Sequence, residues 1–177
     1  MIYVSNLRDM PRHASRLKPS LLVSLLGVEG PAPTPAGVAP KAHLFLEVDD
    51  VSMPMPGYIV PAHSHVEALV AFLDGWDRRR PALIHCYAGV SRSTAAALIL
   101  MSLNNPGREH AAAQTLRDRA PHAQPNRRII RMADQIMGLD GRLIGAVEAM
   151  GEADYATMGS LVELPLALDP LAEADPP

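Results

Sequence analysis

The apolar positions of the chain form short runs that alternate with stretches of helical spacing. Apolar runs over 2–5, 21–26, 42–48 and 83–85 predict buried strands. Stretches with apolar side chains three or four positions apart predict helices over 12–17, 61–79, 93–104, 108–119, 126–137 and 140–150. Strands alternating with helices are typical of an α/β protein. We therefore expect a central, mostly parallel sheet of about four to five strands, flanked by helices.

The segments between these elements carry turn-forming residues. Residues 27–40 are rich in Pro, Gly and Ala, and this composition indicates an irregular excursion from the fold. Residues 49–60 read as a loop, and 152–168 as a looser segment that packs back on the body. We expect one domain over 1–168. The acidic, proline-rich tail, 169–177, is predicted to be disordered.

The most informative stretch is HCYAGVSRST, residues 85–94, which lies between a predicted strand and a predicted helix. A short loop that opens a helix is an anion site, because unpaired backbone N–H groups and the helix dipole point at one place. Cys86 lies at one end of the loop, where the same field favours a thiolate. Arg92 lies at the other end, where a guanidinium can bind a phosphate with two parallel hydrogen bonds.

Cys86 is the sole cysteine among 177 residues, so the chain cannot form an internal disulfide, as expected for a reducing compartment. A lone cysteine at a strand end is often only a core residue. The spacing to Arg92, with Gly89 between them and hydroxyls at Ser91 and Ser93, instead indicates a nucleophile beneath a bound phosphoryl group.

This loop resembles the signature Cys-x5-Arg-Ser/Thr of cysteine-dependent protein tyrosine phosphatases, and is most similar to the small dual-specificity type. The resemblance extends more weakly over about 40–137 and includes Pro125 and Asn126 at the start of a later helix. It implies a phosphatase-like fold and hydrolysis through a cysteinyl-phosphate. It also implies that no metal and no cofactor are needed.

Such a reaction needs an acid to protonate the leaving oxygen. Asp49 and Asp50 directly follow the strand predicted over 42–48, so a parallel sheet would bring them to the edge that carries the loop. Asp74 and Asp77 are expected at the opposite edge, on a solvated face. Asp50 fits the family pattern better than Asp49. Either residue could instead cap a turn with no chemical role.

The other residues of the loop region have roles that the resemblance and their chemistry suggest. His85 can hydrogen-bond the loop backbone and help keep Cys86 ionised, or it can be a plain strand-end histidine. Ser93 can donate to the departing thiolate and also cap the helix. Asn126 can brace the loop or cap its own helix. The expected phosphate-binding groups are the backbone N–H groups and side chains of Tyr87, Ala88, Gly89, Val90, Ser91 and Arg92.

Composition excludes several other classes of function. A formal net charge of −3 gives no basic field for nucleic acid. The longest apolar run, 95–103, is too short to span a bilayer, and the N-terminus shows no signal peptide, so we expect a cytoplasmic protein. His63 and His65 lack partners for a metal site, and Arg127 and Arg128 could rim the pocket or lie on a solvated face. The oligomeric state stays open.

The sequence therefore predicts a phosphatase for phosphate monoesters, with phosphotyrosine in proteins as the favoured substrate over phosphoserine, phosphothreonine or small phosphate esters. The loop carries no Lys of the kind expected for phosphoinositides. The alternative is a catalytically weak module that binds phosphoproteins. Sulfur transfer and arsenate reduction also use cysteine loops. Sulfurtransferase loops do not need the upstream acid or the Ser that follows the Arg, and arsenate reductases carry the loop before the acid, which is the reverse of the order in this chain.

Overall fold

The computed structural model describes residues 1–168, and within that range the chain forms one five-stranded sheet and six α-helices. The strands are β1 Ile2–Asn6, β2 Leu21–Leu26, β3 His43–Glu47, β4 Ala82–Cys86 and β5 Val162–Leu164. The helices are α1 Met10–Leu17, α2 His63–Asp74, α3 Arg92–Asn104, α4 Glu109–Arg119, α5 Arg127–Met137 and α6 Arg142–Ala149, with a 3₁₀ turn at Pro40–Ala42. The tail at 169–177, predicted to be disordered, lies outside the described residues.

The strands stand in the order β3-β2-β4-β1-β5. The first four run parallel, and β5 pairs antiparallel with β1. The predicted sheet, mostly parallel and flanked by helices, is confirmed. The strand β5 was not predicted, since residues 152–168 were expected only to pack back as a loose segment. Its three residues are too few to show an alternating pattern.

The two faces of the sheet are covered unequally. One face packs against α1 and the excursion at 27–40, where Met10, Ala14 and Val38 form a cluster with Leu22 and Leu83. The other face carries the main core, formed with α2 to α6. Helix α3 lies at the centre of that layer and is buried on every side from Arg92 to Ser102, which its run of small alanines permits.

The predicted helix over 61–79 was too long at both ends. Helix α2 ends at Asp74, with Gly75 as its C-cap. The chain then turns so that the indole of Trp76 is buried and its Nε1 donates to Ser20 Oγ at 3.0 Å. Within residues 1–168 no helix is long and apolar enough to cross a membrane.

The parallel strands bring the predicted chemistry to one edge. Strand β4 ends at Cys86, and β3 ends at Glu47, which one residue separates from Asp49 and Asp50. The carboxyl ends of parallel strands are where α/β proteins place their sites. This edge is called the carboxyl edge below.

Candidate active site

The loop between β4 and α3 has a tight path that depends on Gly89. Its φ is +75°, a conformation that favours glycine. A Cβ at this position would also lie 3.0 Å from the backbone carbon of Ser5 and 3.1 Å from the nitrogen of Asn6, at the end of β1. Glycine at 89 therefore lets the loop turn and pack directly against β1.

The carbonyls of the loop are held by the surrounding chain. Tyr87 O accepts from Leu7 N at 3.0 Å, and Ala88 O accepts from Gly159 N at 2.8 Å. Val90 O accepts from Gln124 N at 2.9 Å, and Ser91 O accepts from the N–H of Asn126 at 3.3 Å. In a trans peptide the N–H points away from the carbonyl. Four outward carbonyls thus turn their partner N–H groups inward; these belong to Ala88, Gly89, Ser91 and Arg92.

Cys86 lies at the bottom of this cradle and is buried. Its Sγ is 3.3 Å from the N–H of Gly89, which donates to it, and 3.1 Å from Ser93 Oγ. When the sulfur is a thiolate, the Ser93 hydroxyl must be the donor. The N–H of Gly89 and the Ser93 hydroxyl thus both lie within hydrogen-bond distance of the sulfur, at the N-terminus of α3.

Arg92 is buried beside Cys86, and it is held by a residue that the sequence did not indicate. Its Nη2 lies 2.8 Å from Glu29 Oε1, and its Nη1 donates to Val48 O at 2.8 Å. Its Nε is also buried but has no hydrogen-bond partner among residues 1–168. The guanidinium is thus fixed on one side and keeps a free donor for an oxyanion.

The ion pair of Glu29 and Arg92 shifts the pKa of each residue toward its charged form. Burial acts to raise the pKa of Glu29, but hydrogen bonds from Arg92 and Gly27 outweigh it and leave that pKa below its ordinary value. Burial likewise acts to lower the pKa of Arg92, but Glu29, Cys86 and Asp50 raise it overall. One signal could have identified Glu29, since it is the one charged residue in the segment 27–40.

The two candidate acids have different surroundings. Asp49 is buried, and its carboxylate accepts from Val28 N at 2.8 Å and Ile59 N at 2.6 Å, which ties two loops together. Asp50 is exposed at the carboxyl edge, and its Oδ1 accepts from Ser91 Oγ at 2.6 Å. Both carboxylate oxygens of Asp49 therefore accept hydrogen bonds from backbone N–H groups. Asp50 lies next to the loop, and one of its two carboxylate oxygens accepts no hydrogen bond within residues 1–168.

Asn126 caps its own helix and contacts Asp50. Its Oδ1 accepts from the N–H groups of Arg128 and Ile129, both at 3.1 Å, which makes it the N-cap of α5. Its Nδ2 donates to Asp50 Oδ1 at 2.8 Å. The residue is buried, so this contact fixes Asp50 relative to the loop.

His85 faces away from the pocket, on the sheet face under α1. It is fully buried, and its Nε2 is 2.6 Å from Ser24 Oγ on β2. Burial lowers its pKa to about 4, against an opposing interaction with the Cys86 backbone. The other ring nitrogen, Nδ1, is buried and has no hydrogen-bond partner within residues 1–168. At neutral pH the ring is uncharged.

The segment 151–161 forms a support for the loop that the sequence did not reveal. Gly159 donates to Ala88 O, and its own carbonyl accepts from Asn6 Nδ2 at 2.9 Å. A Cβ at Gly159 would lie 2.6 Å from His122 Nε2 and 3.0 Å from Gly89 O, so the chain passes closely over the loop.

The remaining residues that the sequence singled out lie outside the loop that holds Cys86 and Arg92. His63 forms an exposed pair with Glu67 at 3.3 Å, and His65 Nδ1 accepts from Ala62 N. Within residues 1–168 no three His, Cys, Asp or Glu side chains lie close enough to hold a metal ion. Arg128 donates through Nε to Pro61 O at 2.6 Å, which anchors the end of the loop that follows Asp50. Arg127 is exposed beside the site, where a cavity of about 990 Å³ opens next to Asp50 and Ser91.

Comparison with known proteins identifies the fold. No protein-family model and no curated protein matches the chain. Among solved structures, human DUSP28 superposes with a TM-score of 0.58 at 20% identity, over 80% of this chain and 94% of that one. A mouse putative dual specificity phosphatase complexed with zinc tungstate has a TM-score of 0.58 at 20% identity, over 84% and 86%. The Cydia pomonella PTP-2 phosphatase has a TM-score of 0.56 at 18% identity, over 93% and 94%. The chain has the fold of the dual-specificity phosphatases, which confirms the fold that the signature loop implied.

Proposed function

We propose that the protein hydrolyses phosphate monoesters through a cysteinyl-phosphate on Cys86. The observation that carries this proposal is the composition of the loop. A cysteine sulfur lies within hydrogen-bond distance of the Gly89 N–H and the Ser93 hydroxyl, beneath inward N–H groups. Beside it is a buried arginine whose Nε has no hydrogen-bond partner within residues 1–168. These are the groups that a dianionic phosphoryl ester and a thiolate nucleophile require.

In the first step, the Cys86 thiolate attacks phosphorus and the bond from phosphorus to the ester oxygen breaks. Asp50, in its protonated form, gives its proton to that oxygen, so an alcohol or phenol leaves. The S–P bond formed is the covalent intermediate. Loop N–H groups and Arg92 Nε stabilise the charge on the equatorial oxygens. Ser91 and Asn126, which both bind Asp50 Oδ1, position the acid for this transfer.

In the second step, water attacks the phosphorus of the intermediate and Asp50 accepts a proton from that water. The S–P bond breaks, inorganic phosphate is released and the sulfur regains its negative charge. Ser93 Oγ, 3.1 Å from Sγ, stabilises that charge by donating its hydrogen bond. The net reaction consumes one water and one ester and yields one alcohol and one phosphate.

Phosphotyrosine in proteins is the proposed substrate. The loop after Asp50 and the signature loop expose large apolar side chains, namely those of Met53, Met55, Tyr58 and Tyr87. Exposed Met and Tyr side chains are typical of surfaces that bind other proteins. A small phosphate ester would leave this apolar rim uncovered, whereas a polypeptide around the phosphorylated residue would cover it. A cytoplasmic location fits the requirement for a reduced Cys86.

The test is turnover of p-nitrophenyl phosphate in the presence of EDTA, with and without vanadate. We expect metal-independent hydrolysis that vanadate inhibits. Cys86→Ser should reduce kcat by more than about a hundredfold while phosphate still binds. Phosphotyrosine, phosphothreonine and phosphoinositide substrates then rank the classes by kcat/KM. If the folded protein binds phosphopeptides without turning over any ester, the chain is a binding module and the proposal is wrong.

A further inference from the structure

A second cavity, of about 430 Å³, opens at the end of α3 that lies away from Cys86. Helix α3 runs from Arg92, beside Cys86, to Ser102 and Leu103, which line this cavity. The stretch of helix from Arg92 to Ser102 is about 15 Å long. The cavity is therefore separate from the phosphate site and has no part in the proposed reaction. We call it the α3-end cavity.

The walls of the α3-end cavity are mostly apolar. Side chains from α2, from α3 and from the end of α5 and the residues after it form them, namely those of Val70, Leu103, Ile136, Met137 and Leu139. An apolar concave site of this volume, with a few polar groups in its lining, is typical of sites for small organic molecules. The polar groups of the lining then decide which molecule fits.

One of these polar groups is a buried hydroxyl. Ser102 is 2% exposed, and its Oγ has no hydrogen-bond partner within residues 1–168. A serine or threonine inside a helix often donates to the carbonyl four residues before it. Thr94 and Thr115 do so here, with 2.6 Å to Val90 O and 2.8 Å to Ala111 O. A buried hydroxyl without a partner costs free energy, so Ser102 marks a polar contact that the fold does not supply.

The charged residues that line the cavity are mostly acidic. Glu109, fully buried at the start of α4, accepts from Gly107 N at 3.2 Å and forms an ion pair with Arg142 Nε at 3.2 Å. Glu67 and Asp74 of α2 also line the cavity and are exposed. Within residues 1–168, Arg142 is the only basic residue of the lining, so three carboxylates face one guanidinium. This excess of negative charge favours a positively charged ligand.

We propose that the α3-end cavity binds a small organic cation that has an apolar body and a primary ammonium group. The apolar walls contact the body of the ligand and remove it from water. The ammonium group has three N–H donors, of which one donates to Ser102 Oγ while the charge lies among the carboxylates. The same carboxylates repel an organic anion of equal size. The ligand binds away from Cys86 and does not compete with a phosphate ester.

The test titrates the full chain with phenethylammonium and follows the backbone amide resonances. Two molecules of similar shape serve as comparisons, namely neutral phenethyl alcohol and anionic phenylpropionate. A parallel titration contains vanadate, which occupies the phosphate site. We expect the ammonium probe to shift the resonances of Leu103 and Gly107, which line the cavity, with the same Kd when vanadate is present. The anion should bind at least about tenfold more weakly than the ammonium probe.

Two variants separate the polar contacts of the probe. Ser102→Ala should weaken its binding about three- to tenfold, the effect of one hydrogen bond. The melting temperature of this variant without probe should stay the same or rise, because the hydroxyl has no partner to lose. Asp74→Asn should weaken binding about two- to fivefold, and more at low than at high salt. Glu163→Gln, at an exposed carboxylate of β5 that does not line the cavity, is the matched control and should bind as the wild type does.

Several outcomes would overturn the inference. They are no shift at about 10 mM probe, a Kd far above that of any specific small ligand, equal affinity for the ammonium and the anion, and wild-type affinity in Ser102→Ala. A lower melting temperature of Ser102→Ala would also overturn it, since Ser102 would then have a partner within the fold. Shifts of the cavity resonances with protein concentration alone would show that a second copy of the chain is the occupant. These measurements use no turnover, so they decide the inference whether or not the protein hydrolyses an ester.

Discussion

Glu29 and Arg92 face each other across the carboxyl edge, with Arg92 Nη2 2.8 Å from one carboxylate oxygen and Nη1 3.4 Å from the other. The side chain of Arg92 is 4% exposed and that of Glu29 16% exposed, so water screens the pair little. The contact joins an irregular segment to the first residue of α3. It keeps the guanidinium in the orientation that leaves Nε free.

Replacing Glu29 should therefore affect both stability and the site. Glu29→Gln leaves a buried arginine without its counter-charge, and we expect it to lower the free energy of unfolding by about 1–3 kcal/mol. We expect kcat/KM for p-nitrophenyl phosphate to fall at least tenfold. Glu47→Gln, an exposed carboxylate at the end of β3, is the control. Urea melts and steady-state kinetics that leave Glu29→Gln equal to this control would contradict the role assigned to the pair.

Substitutions of the two neighbouring aspartates, Asp49 and Asp50, should have different effects on activity and on stability. Asp50→Asn should lower kcat with aryl phosphates by roughly 10²–10⁴ and flatten the basic limb of the pH profile, because the acid is lost. Its melting temperature should change little, since the residue is exposed. Asp49→Ala should lower the melting temperature instead, because it leaves the N–H groups of Val28 and Ile59 without their acceptor. Asp49→Asn should lower kcat much less than Asp50→Asn does, and the reverse ranking would move the acid role to Asp49.

The sequence indicated the parts of the site that are encoded locally or by strand order. Cys86 and Arg92 lie within one short stretch, so their spacing alone suggests the loop. Asp50 could be placed because parallel strands end at a common edge, and the structure brings it to Ser91. These inferences need only the order of elements, which apolar periodicity gives.

Glu29 and Ser24 could not be found in this way. Glu29 and Arg92 are 63 positions apart, and nothing periodic relates them. Ser24 reads as one polar residue inside an apolar strand, and its partners come from two other strands and are known only once the order β3-β2-β4 is known. Contacts set by sheet order and loop path depend on tertiary packing rather than on local pattern.

The stability of the protein should depend on pH through His85. Its pKa is about 4 in the folded protein and near 6.5 when unfolded, so below pH 6.5 the unfolded state binds more protons. The contribution of His85 to the free energy of unfolding is therefore fully present above the pKa of the unfolded state. It is lost as the pH falls toward 4, and the loss is about 3 kcal/mol. Burial also lowers the pKa values of His13, His43 and His122, and these shifts act in the same direction.

Urea melts between pH 7.5 and 4.5 measure this dependence. His85→Gln removes the titration but keeps an amide that can reach Ser24, so its free energy of unfolding should fall less steeply with acid than that of the wild type. His63→Gln, at an exposed position, should leave the slope unchanged. Identical slopes for wild type and His85→Gln would show that His85 is not buried as a neutral ring.

The last prediction concerns oxidation of Cys86. Peroxide attacks the thiolate form of a cysteine, and this is the form in which Cys86 acts in the proposed reaction. The chain has no second cysteine, so the sulfenic acid cannot be protected by an internal disulfide. It must condense with a backbone nitrogen, form a mixed disulfide with an external thiol, or proceed to sulfinic acid. We expect low-dose peroxide to abolish activity, bound phosphate or vanadate to protect, and added thiol to restore activity only when supplied early. Intact-mass spectrometry identifies the products. An unmodified mass, after a dose that inactivates a known cysteine-dependent phosphatase, would mean that Cys86 is not held as the reactive anion on which the proposed chemistry depends.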